Sequence, residues 1–274
     1  MENVKEYVEK FTTFGEPVDF KGLKIKPIIV KDADRFFDVV NAIQIEKNKI
    51  PSIDVIRMSY LEFLFSMMAL DKECLNQFTS LLSLTLGMES NKKNLIDGFP
   101  ENEILSQSFP NGSTVYYING WDVTASIHKG KSSITIQGVK LTASDFDTFR
   151  KIILFQNIDE YDDAEMSDDF RRIIEQYYAL KFKNIHQPTL EDKMMAVIAS
   201  TSYTVETIKT LPLRTFEKLF ACCISKVDYI ATKPLEIHLE KGKSIDHWVY
   251  HPIRDKYAGI FGDAQELANK VTSL

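Results

Sequence analysis

The chain has 274 residues, 44% of them hydrophobic and 26% charged, an ordinary globular balance that excludes a disordered chain and allows one large or two modest domains. Its net charge of −6 comes from 39 acids and 33 bases. Seven of the acids cluster between Asp159 and Asp169, and the remaining 32 balance the 33 bases, so no broad positive field exists to hold nucleic acid.

Met1 to Lys10 carries alternating charges and no apolar core, so no secretory leader is expected. Val4, Tyr7, Val8 and Phe11 form one apolar stripe and predict a helix over residues 1–12, stopped by Gly15 and Pro17. Leu23 to Ile28 alternates apolar and charged residues like a half-buried strand, with Pro27 favouring a sheet edge. A helix is expected from Lys31-Asp32 to about Gln44, then a loop at Lys47 to Pro51.

Ser52 is a candidate N-cap for a helix running from Ile53 to Leu70, apolar nearly all round and therefore central. A second apolar helix follows from about Glu73 to Leu86 and makes a hairpin with it. The stretch Cys74 to Met88 carries no charge, but it is too short and too polar to span a membrane. Four of the eight methionines (Met58, Met67, Met68, Met88) lie here, either as adaptable core filling or as an adaptable docking surface.

Residues 89–112 are polar and read as a loop. The period then changes to two. Ser113–Ile118 and Trp121–Ile127 flank Asn119-Gly120, the strongest short hairpin signal; Ser132–Ile136 adds a third strand, and Val139 with Leu141 closes an antiparallel meander. A helix capped by Thr142 or Ser144 and running to about Gln156 would cover its apolar face.

The acidic segment 159–169 predicts an exposed linker. Beyond it, helices are expected at Asp168–Phe182, Thr189–Ser202, Leu213–Ala231 and about Asp263–Val271. Leu235 to Glu240 alternates as a strand, and Ile245 to Tyr250 would return as its hairpin mate. The expected class is thus α+β: mostly helical, with a small central antiparallel meander and a short C-terminal hairpin. The regions would be 1–108, 109–158 and 159–274.

The sequence carries no familiar signature of catalysis. The eleven glycines form no phosphate-binding loop, and no G-x-S-x-G elbow occurs. His238, His247 and His251, with Asp246, resemble a metal set, but on a strand His247 and His251 would stand about 13 Å apart, too far to share an ion. Cys222 and Cys223 lie mid-helix with no local base, and with Cys74 they read as reduced, buried thiols in a cytoplasmic-type compartment. No cofactor, metal or catalytic residue is assigned. Met67, Met68, Trp121, Trp248 and Tyr250 are the candidate partner surface.

The stretch Leu23-Lys-Ile-Lys-Pro-Ile-Ile-Val-Lys-Asp-Ala-Asp-Arg-Phe-Phe, with Lys47-Asn-Lys-Ile-Pro and Met58-Ser-Tyr-Leu-Glu-Phe-Leu, resembles tail-assembly and baseplate-associated proteins of phages of low-GC Gram-positive bacteria. Leu190 to Ser200, Phe216-Glu-Lys-Leu-Phe and Asp246-His-Trp-Val-Tyr extend the likeness. The resemblance implies a non-enzymatic component that binds other virion or tail proteins, in the host cytoplasm during assembly or in the virion, and a candidate oligomer. It supplies no functional residues. Two alternatives stay open: an enzyme or enzyme accessory with a dispersed site, and a regulatory or anti-defence module that binds a host protein.

Overall fold

The computed structural model describes residues 4–45, 47, 50, 52–128, 131–158, 161, 188–238, 245 and 247–249. They fall into two units: residues 1–161 with 206–217, and residues 162–205 with 218–274.

In the first unit, α1 (Val4–Thr12) leads into a two-stranded hairpin, β1 (Val18–Phe20) and β2 (Leu23–Ile25). A 3-10 turn at Val30–Asp32 opens α2 (Ala33–Val39), and the short α3 (Asn41–Gln44) follows. Next come α4 (Ile53–Arg57), α5 (Tyr60–Leu70) and α6 (Lys72–Leu86). A five-stranded antiparallel meander follows: β3 (Ile104–Ser108), β4 (Thr114–Ile118), β5 (Val123–Ile127), β6 (Ser133–Ile136) and β7 (Val139–Thr142), in that spatial order. α7 (Ala143–Asn157) closes the run.

Local chemistry sets the helix ends. Thr142 and Asp145 form a reciprocal capping box on α7, and Ser59 and Glu62 form another on α5. Asp71 caps α6, which stops at Gly87 in the left-handed conformation, φ 67°. The core lies where these helices meet one face of the meander. Ile118, Val123, Ala125, Ile134, Ile136 and Leu141 are buried on that face. α7 packs on β6 and β7, as expected of a cover, and α5 shares the task through Phe65, whose ring is 5.7 Å from Tyr116. Phe78 of α6 meets Phe146 of α7 edge-on at 6.3 Å.

The second unit contains α8 (Leu190–Ser200), whose cap is a box between Thr189 and Asp192. α9 (Val205–Lys209) is short and from Glu206 onward belongs to the first unit. α10 (Leu213–Thr232) begins in the first unit and lies in the second from Lys218 onward.

The α+β class holds, with differences in detail. The expected helix from Ile53 to Leu70 is two helices, because Met58 and Ser59 are extended (ψ 146° and 158°) and Ser59 caps α5 afresh. Lys47 Nζ satisfies the end of α4 by donating to Met58 O at 2.5 Å. The expected helix from Lys31 to Gln44 is divided between α2 and α3. The supposed loop 89–112 contains β3, so the meander has five strands rather than four, and the expected boundary after residue 108 falls between paired strands. At the C-terminal end, Lys233–His238 is a 3-10 helix, not the first strand of a hairpin. Pro234, with its fixed φ and missing N–H, suits a helical first turn. Its expected mate is no strand either where it is described: Ile245 and His247 have no regular structure, and Trp248 and Val249 form a turn. Residues 239–244, Asp246 and Tyr250, the acidic segment apart from Tyr161, and the helices expected at Asp168–Phe182 and Asp263–Val271 lie outside the described residues.

Candidate functional site

The stretch after β2 leaves the hairpin, and its backbone is satisfied piecemeal. Lys26 N donates to Thr85 O (2.8 Å) at the end of α6, and Ile28 N donates to the side-chain Oδ1 of Asn157 (2.8 Å) at the end of α7. Val30 N donates to Leu211 O (2.9 Å) and Leu213 N to Ile28 O (2.7 Å), making an isolated bridge between Ile29 and Pro212. Pro27 and Pro212, which have no N–H, occupy positions where none is required.

Buried polar groups lock this junction. Arg214 is 4% exposed; its Nη2 donates to Glu9 Oε1 of α1 at 2.5 Å, and its Nη1 donates to Phe155 O of α7. Gln156 Nε2 donates to Ile25 O at 3.2 Å.

α1 ends beside the same junction. Glu16 N donates to Phe11 O and Gly15 N to Thr12 O, the paired bonds of a Schellman ending with Gly15 in the left-handed region, φ 73°. A Cβ at Gly15 would stand 3.3 Å from Pro212 Cγ, so glycine serves both the turn and the close approach. Because the chain reverses at Gly15, Phe14 is thrown outward and is 80% exposed.

These segments enclose an open groove of about 540 Å³. Its walls are mixed: Phe14, Pro17, Pro27, Ile29, Leu211 and Pro212 supply the apolar part, and Thr13, Thr210, Thr215 and Lys26 the polar part. The hydroxyls of Thr13 and Thr210 turn back to local carbonyls (Glu9 O and Thr207 O) rather than offering a proton to an occupant. Lys26 is the only ionisable lining side chain, and no carboxylate among the described residues pairs with it. A groove of mixed lining with a single cation can hold a segment that combines apolar side chains with a carboxylate.

The sequence-based candidates stand elsewhere. Met68 is buried and Met67 half-buried in α5, as core filling. Trp121 is half-buried at the β4–β5 turn, with its Nε1 inside and without a hydrogen-bond partner. Trp248 is half-buried in the second unit, its ring 5.7 Å from His247. Tyr250 lies outside the described residues. Met67, Met68 and Trp121 belong to the first unit and Trp248 to the second.

Of the expected metal set, His238 ends the 3-10 helix, and His247 is exposed with its ring tilted at 56° to that of Tyr229, centroids 5.0 Å apart; His251 and Asp246 lie outside the described residues. Among the described residues, no three His, Cys, Asp or Glu side chains converge as metal ligands. Burial pushes the Cys74 thiol up to about 11, with Asp71 adding to it, and burial likewise raises Cys223, which disfavours the nucleophilic thiolate. No helix among the described residues is long and apolar enough to cross a membrane.

Phe14, Lys26 and Pro212 were not legible as a site. The one available signal was Phe14 itself, an aromatic three residues beyond Phe11 but placed past the helix stop. No protein-family model, curated protein or solved structure matches the chain.

Proposed function

We propose that this chain is a non-enzymatic phage tail-assembly or baseplate-associated protein, and that it holds a segment of another virion protein in the groove beside Phe14. The observation that carries the binding role is the groove itself: a channel with an 80%-exposed phenylalanine at its rim, prolines along its walls and one ammonium, Lys26, that no carboxylate pairs with among the described residues. Exposed aromatics in concave apolar surfaces are characteristic anchors for protein partners. Charge complementarity selects a partner segment with apolar side chains next to an acidic residue or a free C-terminal carboxylate. The tail-assembly context rests on the sequence resemblance, and it places the protein in the host cytoplasm during assembly or in the virion.

The test is direct binding of the purified full chain to the tail and baseplate proteins encoded beside its gene, each purified separately. One of them is expected to bind, with affinity reduced about tenfold or more by Phe14→Ala and by Lys26→Glu. Failure of every such protein to bind, or binding that ignores both substitutions, would overturn the reading.

A further inference from the structure

The free edge of the meander carries a second surface, distinct from the groove. β3 is the outermost strand, beside β4 only. Asn119 N donates to Glu103 O and Phe109 N donates to Ser113 O, one step beyond each end of the β3–β4 register. Hydrogen-bonded positions alternate along an antiparallel pair, so the odd-numbered residues of β3 face β4. Ile104, Ser106 and Ser108 therefore turn their N–H and C=O groups outward, and no backbone group among the described residues meets them.

This edge lacks the usual protections. Ile104 to Ser108 contains no charge and no proline, and Ser106, Gln107 and Ser108 are exposed. It is also sharply bounded. Asn102 leaves the extended region (φ 56°) on one side, and Pro110 has no N–H to offer on the other. Between them lie three outward residues, symmetric about Ser106.

We infer that β3 pairs antiparallel with β3 of a second copy of this chain, across a two-fold axis at Ser106. In that register Ser106 faces its own counterpart and Ile104 faces Ser108 of the second copy, completing about six backbone hydrogen bonds. The small side chains of Ser106 and Ser108 admit the ordinary strand spacing. The nearest charge, Glu103, falls opposite Phe109 of the second copy, so no like charges meet. A shift of two residues in either direction would replace one of these positions by Pro110 or by Asn102, which pins the register. The contact is one short ladder, so the dimer is reversible and forms at micromolar or higher concentration.

Sedimentation velocity on the full chain, from low micromolar to several hundred micromolar, reads this directly. Wild type is expected to show a concentration-dependent monomer–dimer equilibrium. Ser106→Pro removes only an outward N–H, because position 106 makes no ladder bond to β4, and edge strands accept proline there. Ser106→Asp and Ser106→Lys instead place like charges face to face. Each should raise the dissociation constant about tenfold or more while leaving the thermal midpoint near wild type. An equimolar mixture of the Asp and Lys variants should dimerise again, since opposite charges then meet at the axis. Wild type that stays monomeric throughout would overturn the proposal and leave the edge to a different chain. Dimers that persist in all three variants, or a mixture that stays monomeric, would overturn the two-fold register at Ser106.

Discussion

The carboxylate of Glu62 in α5 accepts a hydrogen bond from Ser132 Oγ at 2.5 Å, joining the central helix to the β5–β6 turn. Its other oxygen accepts from Ser59 N at 2.9 Å and closes the capping box, and Ser132 Oγ in turn accepts from His128 N at 3.2 Å. One carboxylate thereby starts a helix and holds a turn of the sheet.

Partial burial works to raise the pKa of Glu62, but the hydrogen bonds from Ser132 and Ser59 outweigh it and hold the carboxyl below its ordinary value. A depressed carboxylate contributes stability that is present above its unfolded value, about 4.3, and is lost as pH falls through the folded value. Glu62→Gln should therefore cost on the order of 1–2 kcal/mol at neutral pH, with the gap from wild type narrowing below about pH 4. Urea unfolding of both proteins at pH 7 and pH 3 checks this; a gap that does not change with pH would show that the charge of Glu62 is immaterial.

Phe63 is 2% exposed and Leu64 fully buried in α5. Phe63→Ala should lower stability by about 3–5 kcal/mol and Leu64→Ala by about 2–5 kcal/mol, from lost transfer energy and the cavity left behind. Chemical denaturation measures both, and an unchanged midpoint for either would place that residue outside the core.

Removing the guanidinium in Arg214→Met should cost about 1–3 kcal/mol, mainly because Phe155 O loses its buried donor. Glu9 is 38% exposed and can return to water. Arg214→Lys should recover only part of the loss, because a single ammonium cannot reproduce the fork that reaches α1 and α7 together. Thermal unfolding of the two variants gives the order; a lysine variant equal to wild type would refute the two-pronged role.

At the tip of the β4–β5 hairpin, Gly120 has φ 86°, and a Cβ there would stand 2.8 Å from Ser90 Oγ and 3.2 Å from Leu95 Cδ2. Gly120→Ala should destabilise by about 1–3 kcal/mol through strained backbone and crowding together. Hydrogen exchange should locate the loosening at residues 90–103, whose loop Asn119 ties down by accepting from Ile96 N and donating to Phe99 O and Pro100 O.

What the sequence determined by itself is local. The caps at Thr142 and Thr189, the place of the hairpin turn at Asn119-Gly120 (although Trp121 and Asp122 join its loop rather than opening β5), the change of period at the meander and the apolar α5–α6 pair all follow from residues within a few positions of one another, where backbone preference and side-chain capping act. Even locally a dense apolar run can mislead: the Ser59–Glu62 box sits inside one and divides it. Tertiary structure decided the rest. Ser106, Gln107 and Ser108 carry no strand alternation, and they form a strand because β4 presents an unpaired row of donors and acceptors beside them. The groove sets Phe14 near Pro212, nearly two hundred positions along the chain, through Arg214, Asn157 and the Ile28–Leu213 bond. Bonds of that reach depend on which buried groups remain unsatisfied once the helices have packed, a condition that no window of sequence contains.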